Sequence, residues 1–282
     1  MGKIADISKY QQRNKPPINW DRVAADVSLL ILRVQDGIGV PDEYFGRFAA
    51  ECEKRGIPYG VYGFFRAGNI AAAKAEAAKM IERVGARKPL FWVADIERLP
   101  SGCSNAGLRS VAGAWNTAMG SRKTGLYVST ALYPSVSLTG WDFVWIPRYG
   151  DGDAVYEPGE SPKYRCDLHQ YTSVGRVSGI TGNVDLNRLT GTKPLSWFTD
   201  RADTGITIYP KTEVHRGLII GPAPQKLWQY STLGGRIMGS APAGGEVRIL
   251  AAGPSWYYVR RGPAGPFGAE GYVPRRAVRW IS

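Results

Sequence analysis

The chain has 282 residues, 44% hydrophobic, 11% aromatic and 21% charged, a composition that fits a packed globular protein and excludes disorder over most of its length. No window reaches the roughly 18 to 20 uncharged apolar residues of a membrane span, and the densest stretch, Val27 to Val34, already holds Arg33. The net charge is +12, with 25 basic and 19 acidic residues in 1–195 against 11 and 5 in 196–282, so the tail is more basic per residue and suits a polyanion: nucleic acid, anionic lipid or a teichoic-acid-bearing wall.

The opening run Met1-Gly-Lys-Ile-Ala-Asp6 lacks the apolar core and small-residue cleavage site of a secretory signal, so synthesis in the cytoplasm is expected. Short β-branched and aromatic runs predict strands at 3–8, 29–35, 60–65, 90–97, 125–129, 143–147, 167–172 and 180–186. Between them, 3.6-residue periodicity predicts helices at 19–27, 42–55, 70–84 and 105–119; after Ser129 the connections turn rich in Pro, Gly and Asp. Eight strands with an incomplete outer ring of helices predict an α/β barrel of about 195 residues, below the roughly 250 of a complete (β/α)8 barrel. The polar stretch 192–203 around Pro194 reads as a linker, separating a domain at 1–191 from one at 204–282. Strand-like runs at 206–209, 218–220, 246–250, 256–260, 270–273 and 277–280, divided by Gly/Pro turns, predict a small all-β barrel there. Cys52, Cys103 and Cys166 are too few and too scattered for a disulfide framework, and Cys166-x-x-His169 has no second ligand pair, so free thiols and no metal site are expected.

Several chemistries fail at once. There is no G-x-G-x-x-G, Walker A loop, H-E-x-x-H or G-x-S-x-G, and His169 and His215 are the only histidines. Carboxylates remain. Asp95 and Glu97 end the most apolar strand, and residues two apart share a strand face, roughly 7 Å from one another. At the C-terminal end of a barrel strand, such a pair would split its pKa values, one acid staying protonated while the other is charged; solvated strand-end residues paired with Arg98 are the plainer alternative. Asp6 and Asp185, in the first and last strands, become neighbours only if the barrel closes. Tyr62, Tyr127, Trp145 and Tyr149 fall at strand ends, where flat rings could line a groove and stack on sugars or fill the core. Nucleic acid could stack on them too, but carboxylates at the same mouth would repel its phosphates.

These motifs taken together resemble the bacterial and phage muramidases of glycoside hydrolase family 25. The resemblance covers nearly all of residues 3–190. It runs through Asp6-Ile-Ser-Lys-Tyr-Gln, Leu32-Arg-Val-Gln-Asp-Gly, Gly60-Val-Tyr-Gly-Phe-Phe-Arg, Asp95-Ile-Glu97, Gly125-Leu-Tyr-Val-Ser, Trp145-Ile-Pro-Arg-Tyr, His169-Gln-Tyr-Thr-Ser and Gly179-Ile-Thr-Gly-Asn-Val-Asp185. It implies a modified TIM-like (β/α)5(β)3 barrel. It also implies hydrolysis, with retention, of the β-1,4 bond between N-acetylmuramic acid and N-acetylglucosamine in peptidoglycan, without cofactor or metal. Glu97 would be the acid and then the base, with Asp95 its partner, either as nucleophile or as support for the substrate's acetamido group. Asp6 and Asp185 would be supporting carboxylates, and Tyr62, Arg66, Tyr127, Trp145, Tyr149 and Gln170 would line the substrate groove. Two departures bear on subsite contacts: His169 replaces the Trp of many relatives, and Pro147-Arg148 is unusual in the sixth strand.

The tail is similar to bacterial SH3-type wall-binding domains through Gly245-Glu-Val-Arg-Ile-Leu, Trp256-Tyr-Tyr-Val-Arg and Glu270-Gly-Tyr-Val-Pro, with Trp256, Tyr258 and Tyr272 as candidate wall-binding residues. The expectation is a monomeric endolysin that reaches the bacterial wall after release by a separate membrane-permeabilising protein. It would bind peptidoglycan and anionic wall polymers, and neither nucleic acid nor the membrane interior. The alternative is a non-catalytic wall-binding protein that has kept the groove.

Overall fold

A strand that is apolar on both faces must be covered on both, and the ten residues of β2 (Val27–Asp36) are almost all buried. Such strands organise the first of two units, Met1–Asp200 and Arg201–Ser282, in a computed structural model that describes residues 2–190, 193–200, 207–208, 215–220, 223–228, 237–252, 256–261 and 269–281. The order in the first unit is β1 (Lys3–Ile7), α1 (Trp20–Asp26), β2, β3 (Val40–Pro41), α2 (Phe45–Arg55), β4 (Tyr59–Phe64), α3 (Ile70–Val84), β5 (Trp92–Ile96), α4 (Asn105–Ala118), β6 (Thr124–Val128), β7 (Phe143–Pro147), β8 (Leu168–Gly175) and β9 (Val184–Leu189). β3 only folds back on the end of β2. The other eight close a barrel, β1-β9-β8-β7-β6-β5-β4-β2 and back to β1; all pairs are parallel except β8–β9 and β9–β1.

Three of the helices, α1, α3 and α4, start where side chains satisfy orphan amides: Asn19, Asn69 and Ser104 accept from the N–H groups of Arg22, Ala72 and Gly107. After β6 the helical periodicity is gone. The fifth connection is a single 3-10 turn, Tyr133–Ser135, where the family resemblance implied a helix.

Two boundaries differ from expectation. The last strand begins at Val184, not at 180, because Gly179 and Gly182 hold left-handed φ angles of 93° and 92° and turn the chain first. Within the expected linker, α5 (Leu195–Thr199) folds with the barrel. Its Phe198, 0% exposed, packs edge-on against Phe91 and Phe143 at 5.7 and 5.1 Å, and Lys123 Nζ donates to the Trp197 carbonyl and Asp200, each at 2.8 Å. Phe91 and Phe143 stand at the strand starts, so α5 plugs the end of the barrel opposite the strand C-termini. The remaining expected linker residues, 192 and 201–203, lie outside the described residues.

The second unit is all β: β10 (Thr207–Ile208), β11 (His215–Ile219), β12 (Gln225–Trp228), β13 (Ile237–Ala241), β14 (Glu246–Ala252), β15 (Trp256–Arg261), β16 (Ala269–Pro274) and β17 (Val278–Trp280). They pair in the order β13-β12-β16-β15-β14-β11-β17, with β10 on β14, over a core that includes Leu227, Ile249, Val259 and Val273. Five of the expected strands lie here; of the sixth, at 206–209, only 207–208 are described. β12 and β13 were not anticipated, since the mostly exposed β13 has little apolar alternation to reveal it.

Phe198→Ala is expected to destabilise the first unit by about 3–5 kcal/mol, the usual result of deleting a buried ring. Denaturant melts of the variant against the unsubstituted chain check this; an effect below about 1 kcal/mol would mean that the plug contributes nothing.

Candidate active site

Because seven of the eight barrel strands run the same way and the antiparallel β9 begins where they end, acids from three strands meet at one mouth. Asp6 on β1 pairs directly across from Asp185 on β9. Asp95 lies in β5 and Glu97 one residue beyond its end. Closure brings together all four carboxylates named from sequence.

Asp6 is the hub. Its Oδ2 accepts from Gln170 Nε2 at 3.0 Å and from Asn187 Nδ2 at 2.9 Å. Gln170 Oε1 in turn accepts from the hydroxyls of Tyr127 at 2.7 Å and Tyr149 at 2.6 Å, while Asn187 Oδ1 accepts from the Trp145 indole at 2.8 Å. Two relays of neutral donors thus end on one oxygen. Burial raises the pKa of both Asp6 and Asp185, and the charge of Asp6 adds to the rise at Asp185. The proton of the pair therefore rests on Asp185, which donates it to Asp6.

Asp95 is 5% exposed, and its Oδ1 has no hydrogen-bond partner among the described residues. Burial, then the charges of Glu97 and Asp6, hold its carboxyl well above the usual range, with Arg33 the opposing cation. Glu97 is exposed at the rim, yet partial desolvation still lifts its carboxyl; Arg98 and Arg66 pull it down and Asp36 pushes it up. Adjacent carboxyls of unequal protonation can donate a proton at one position and present charge at another.

The expected groove residues divide by depth. Tyr62 is half-buried, and Arg66 and Tyr149 are exposed. Trp145 and Gln170, 2% and 4% exposed, and the buried Tyr127 lie beneath the acids as supports rather than along an open groove, because their polar atoms are taken up by the relays. Arg66 forks onto Asp36 at 2.6 and 3.1 Å with its guanidinium 4.2 Å from the Phe64 ring. Asn187 was missed, although it lies two residues from Asp185 on the same strand face. Arg33 and Asp36 were missed too; their signal was charge inside an apolar strand.

His169 faces away from this mouth, as alternation with Gln170 requires. Its Nε2–H donates to the Arg148 carbonyl at 2.8 Å and its Nδ1 accepts from Arg188 at 3.2 Å; burial lowers its pKa to about 4, so it stays neutral. Arg148 donates to the carbonyls of Ser161 and Gly159. Both departures from the family pattern therefore fasten the 149–161 loop.

In the second unit, Trp256, Tyr258 and Tyr272 are half-buried on one sheet face, with Trp256–Tyr272 and Tyr258–Tyr272 centroids 4.9 and 4.8 Å apart.

A cluster of carboxyl groups with unequal proton affinities at the C-terminal mouth of a barrel, braced by amides and aromatic hydroxyls, is a site equipped for acid–base chemistry. Residues 5–180 match the model of glycosyl hydrolases family 25, and the chain belongs to that family of glycosidases. It is 27% identical over 205 residues to lysozyme M1 of Streptomyces globisporus, covering 66% of this chain and 67% of that protein. Among solved structures, it is similar to GHIP, a glycosyl hydrolase 25 of Streptococcus pneumoniae (24% identity, TM-score 0.64, 70% of this chain and 92% of that one). It is also similar to the catalytic domain of endolysin ply40 from bacteriophage P40 of Listeria monocytogenes (24%, TM-score 0.61, 71% and 98%).

One buried acid stands behind this mouth. Glu76 on α3 accepts from the Arg66 N–H at 3.2 Å, and burial raises its pKa from 4.5 to about 7. A carboxyl whose pKa is raised on folding binds its proton more tightly in the folded state, so its contribution to stability falls as pH rises from about 4.5 to about 7. Glu76→Gln should lose less melting temperature between pH 5 and pH 8 than the unsubstituted chain, the residual fall coming from Asp6, Asp95 and Asp185. Thermal melts at the two pH values check it; equal falls would remove Glu76 from the account.

Proposed function

We propose that the chain is a peptidoglycan hydrolase of the endolysin kind that cleaves the β-1,4 bond between N-acetylmuramic acid and N-acetylglucosamine with retention. The observation that carries this reading is the pairing of a rim carboxyl of raised pKa, Glu97, with a buried one, Asp95, whose Oδ1 has no hydrogen-bond partner among the described residues. Glu97 donates its proton to the leaving glycosidic oxygen as the C1–O bond breaks, and later takes a proton from the water that attacks C1 and displaces the acetamido oxygen from it. Asp95 Oδ1 accepts from the N–H of the substrate's acetamido group, whose carbonyl oxygen attacks C1; this is the substrate-assisted variant of glycoside hydrolysis. Asp6 and Asp185 keep the floor of the site polar and carry a single negative charge between them. The lysozyme and endolysin names of the relatives support the wall substrate.

The second unit is read as a wall-binding domain that raises the local concentration of the barrel on its polymer. Its support is the half-exposed Trp256–Tyr258–Tyr272 cluster in a basic β domain.

Digestion of purified peptidoglycan, with reducing-end labelling and mass spectrometry, tests the chemistry. N-acetylmuramic acid should appear at the new reducing ends, and Glu97→Gln should lower the rate at least about a hundredfold. Intact glycan with binding retained would leave a binding protein instead. Asp36→Asn removes the negative charge that lifts Glu97, so the basic limb of the kcat/KM profile should move to lower pH, by up to about one unit. An unmoved limb would assign it to another group. Trp256→Ala should reduce co-sedimentation with purified walls several-fold; undiminished retention would overturn the wall-binding reading.

A further inference from the structure

A tyrosine ring 59% exposed stands on the turn that follows β1 and is used by none of the chemistry above: Tyr10. Its surroundings are more tightly built than an exposed ring requires. The guanidinium of Arg33, itself only 9% exposed, lies 5.0 Å from the ring centroid, and Lys9 Nζ lies 5.8 Å from it. A cation so deeply buried occupies the protein side of the ring, so the opposite face is the open one.

The turn beneath is fixed at four points. Ser8 and Gln11 form a reciprocal capping box. Gln11 Nε2 donates to the Asn183 carbonyl at 3.1 Å, and the Lys9 N–H donates to Asp42 Oδ2 at 2.9 Å. The same Asp42 oxygen takes the Arg33 Nε–H at 2.9 Å. Asp42 therefore locks the turn and the cation under the ring in one contact set. The Tyr10 hydroxyl, by contrast, has no hydrogen bond among the described residues, so the ring face and not the hydroxyl is what the surroundings hold in place.

Position supplies the ligand. Tyr10 lies four positions after Asp6, a backbone reach of at most about 14 Å. Arg33 is the link across that distance: its charge acts on Asp95 and Tyr62 in the cleft while its plane backs Tyr10 at the edge. The ring therefore lies within a few sugar lengths of the acids, in reach of an extended glycan that occupies them. A rigid, flat, uncharged face suits the C–H face of a pyranose, and pre-fixing it removes an ordering cost from binding.

We propose that Tyr10, held by Arg33 and Asp42, is a sugar-stacking subsite at the β1 edge of the cleft and contributes to glycan affinity without taking part in bond cleavage. The inference rests on the glycan-hydrolase reading.

The test uses the full chain carrying Glu97→Gln, so that binding is read without turnover, and a soluble β-1,4-linked N-acetylglucosamine oligomer as probe in titration calorimetry. Adding Tyr10→Ala should weaken binding by about tenfold, as expected for loss of one ring stack. Tyr10→Phe should stay within about twofold, and Tyr10→Trp should bind at least as tightly. In the chain with Glu97 intact, Tyr10→Ala should raise KM for soluble glycan strands with kcat retained. Equal affinity of the Ala and Phe variants, or a loss in Phe as large as in Ala, overturns the stacking subsite while glycan cleavage by the intact chain still stands. Absence of both binding and cleavage in the chain with Tyr10 intact overturns the two readings together. Matching melting temperatures across the Tyr10 series confirm that the variants are folded.

Discussion

One carboxylate oxygen, Oδ2 of Asp6, holds the mouth of the barrel together. Buried charge is tolerable only where hydrogen bonds replace water. Here the replacements arrive from four strands, through Gln170 on β8 and Asn187 on β9, which in turn order Tyr127 on β6 and Trp145 on β7. Each of these side chains thereby has its rotamer set by a shared acceptor. The shared proton with Asp185 lets two acids face one another across paired strands without the repulsion of two full charges.

The same economy of charge extends outward. Asp95 is buried with one oxygen unengaged among the described residues, an arrangement that a donor on a bound molecule would relieve. Glu97 sits further out, between arginines that favour its charge and Asp36 that opposes it. Depth and neighbours thus give the acids unequal proton affinities, the condition that acid–base chemistry needs.

Much of this was legible in the residues. Period-two spacing joined Asp95 to Glu97, and barrel closure joined Asp6 to Asp185, since each inference needs only which face a side chain takes. Alternation also separates His169 from Gln170. It does not report depth, so Trp145 and Gln170 could not be told from groove residues until their relays were seen. Asn187 obeyed the same spacing rule from Asp185 but carries no charge to draw attention. The plug at Leu195–Thr199 was hidden for another reason: five residues after a proline make no periodic signal, and only the rings of Phe91 and Phe143 show why Phe198 is there.

The reversed direction of β9 has a consequence for where the chain leaves the barrel. A last strand parallel to its neighbours would deliver the chain beside the acids, where any following segment would crowd the entrance. Running the other way, β9 places Asp185 at the mouth with its first residues and releases the chain at the closed end, through α5. The attachment point is thereby separated from the cleft by the full height of the barrel. The strand that supplies Asp185 thus also carries the chain away from the acids it helps to build.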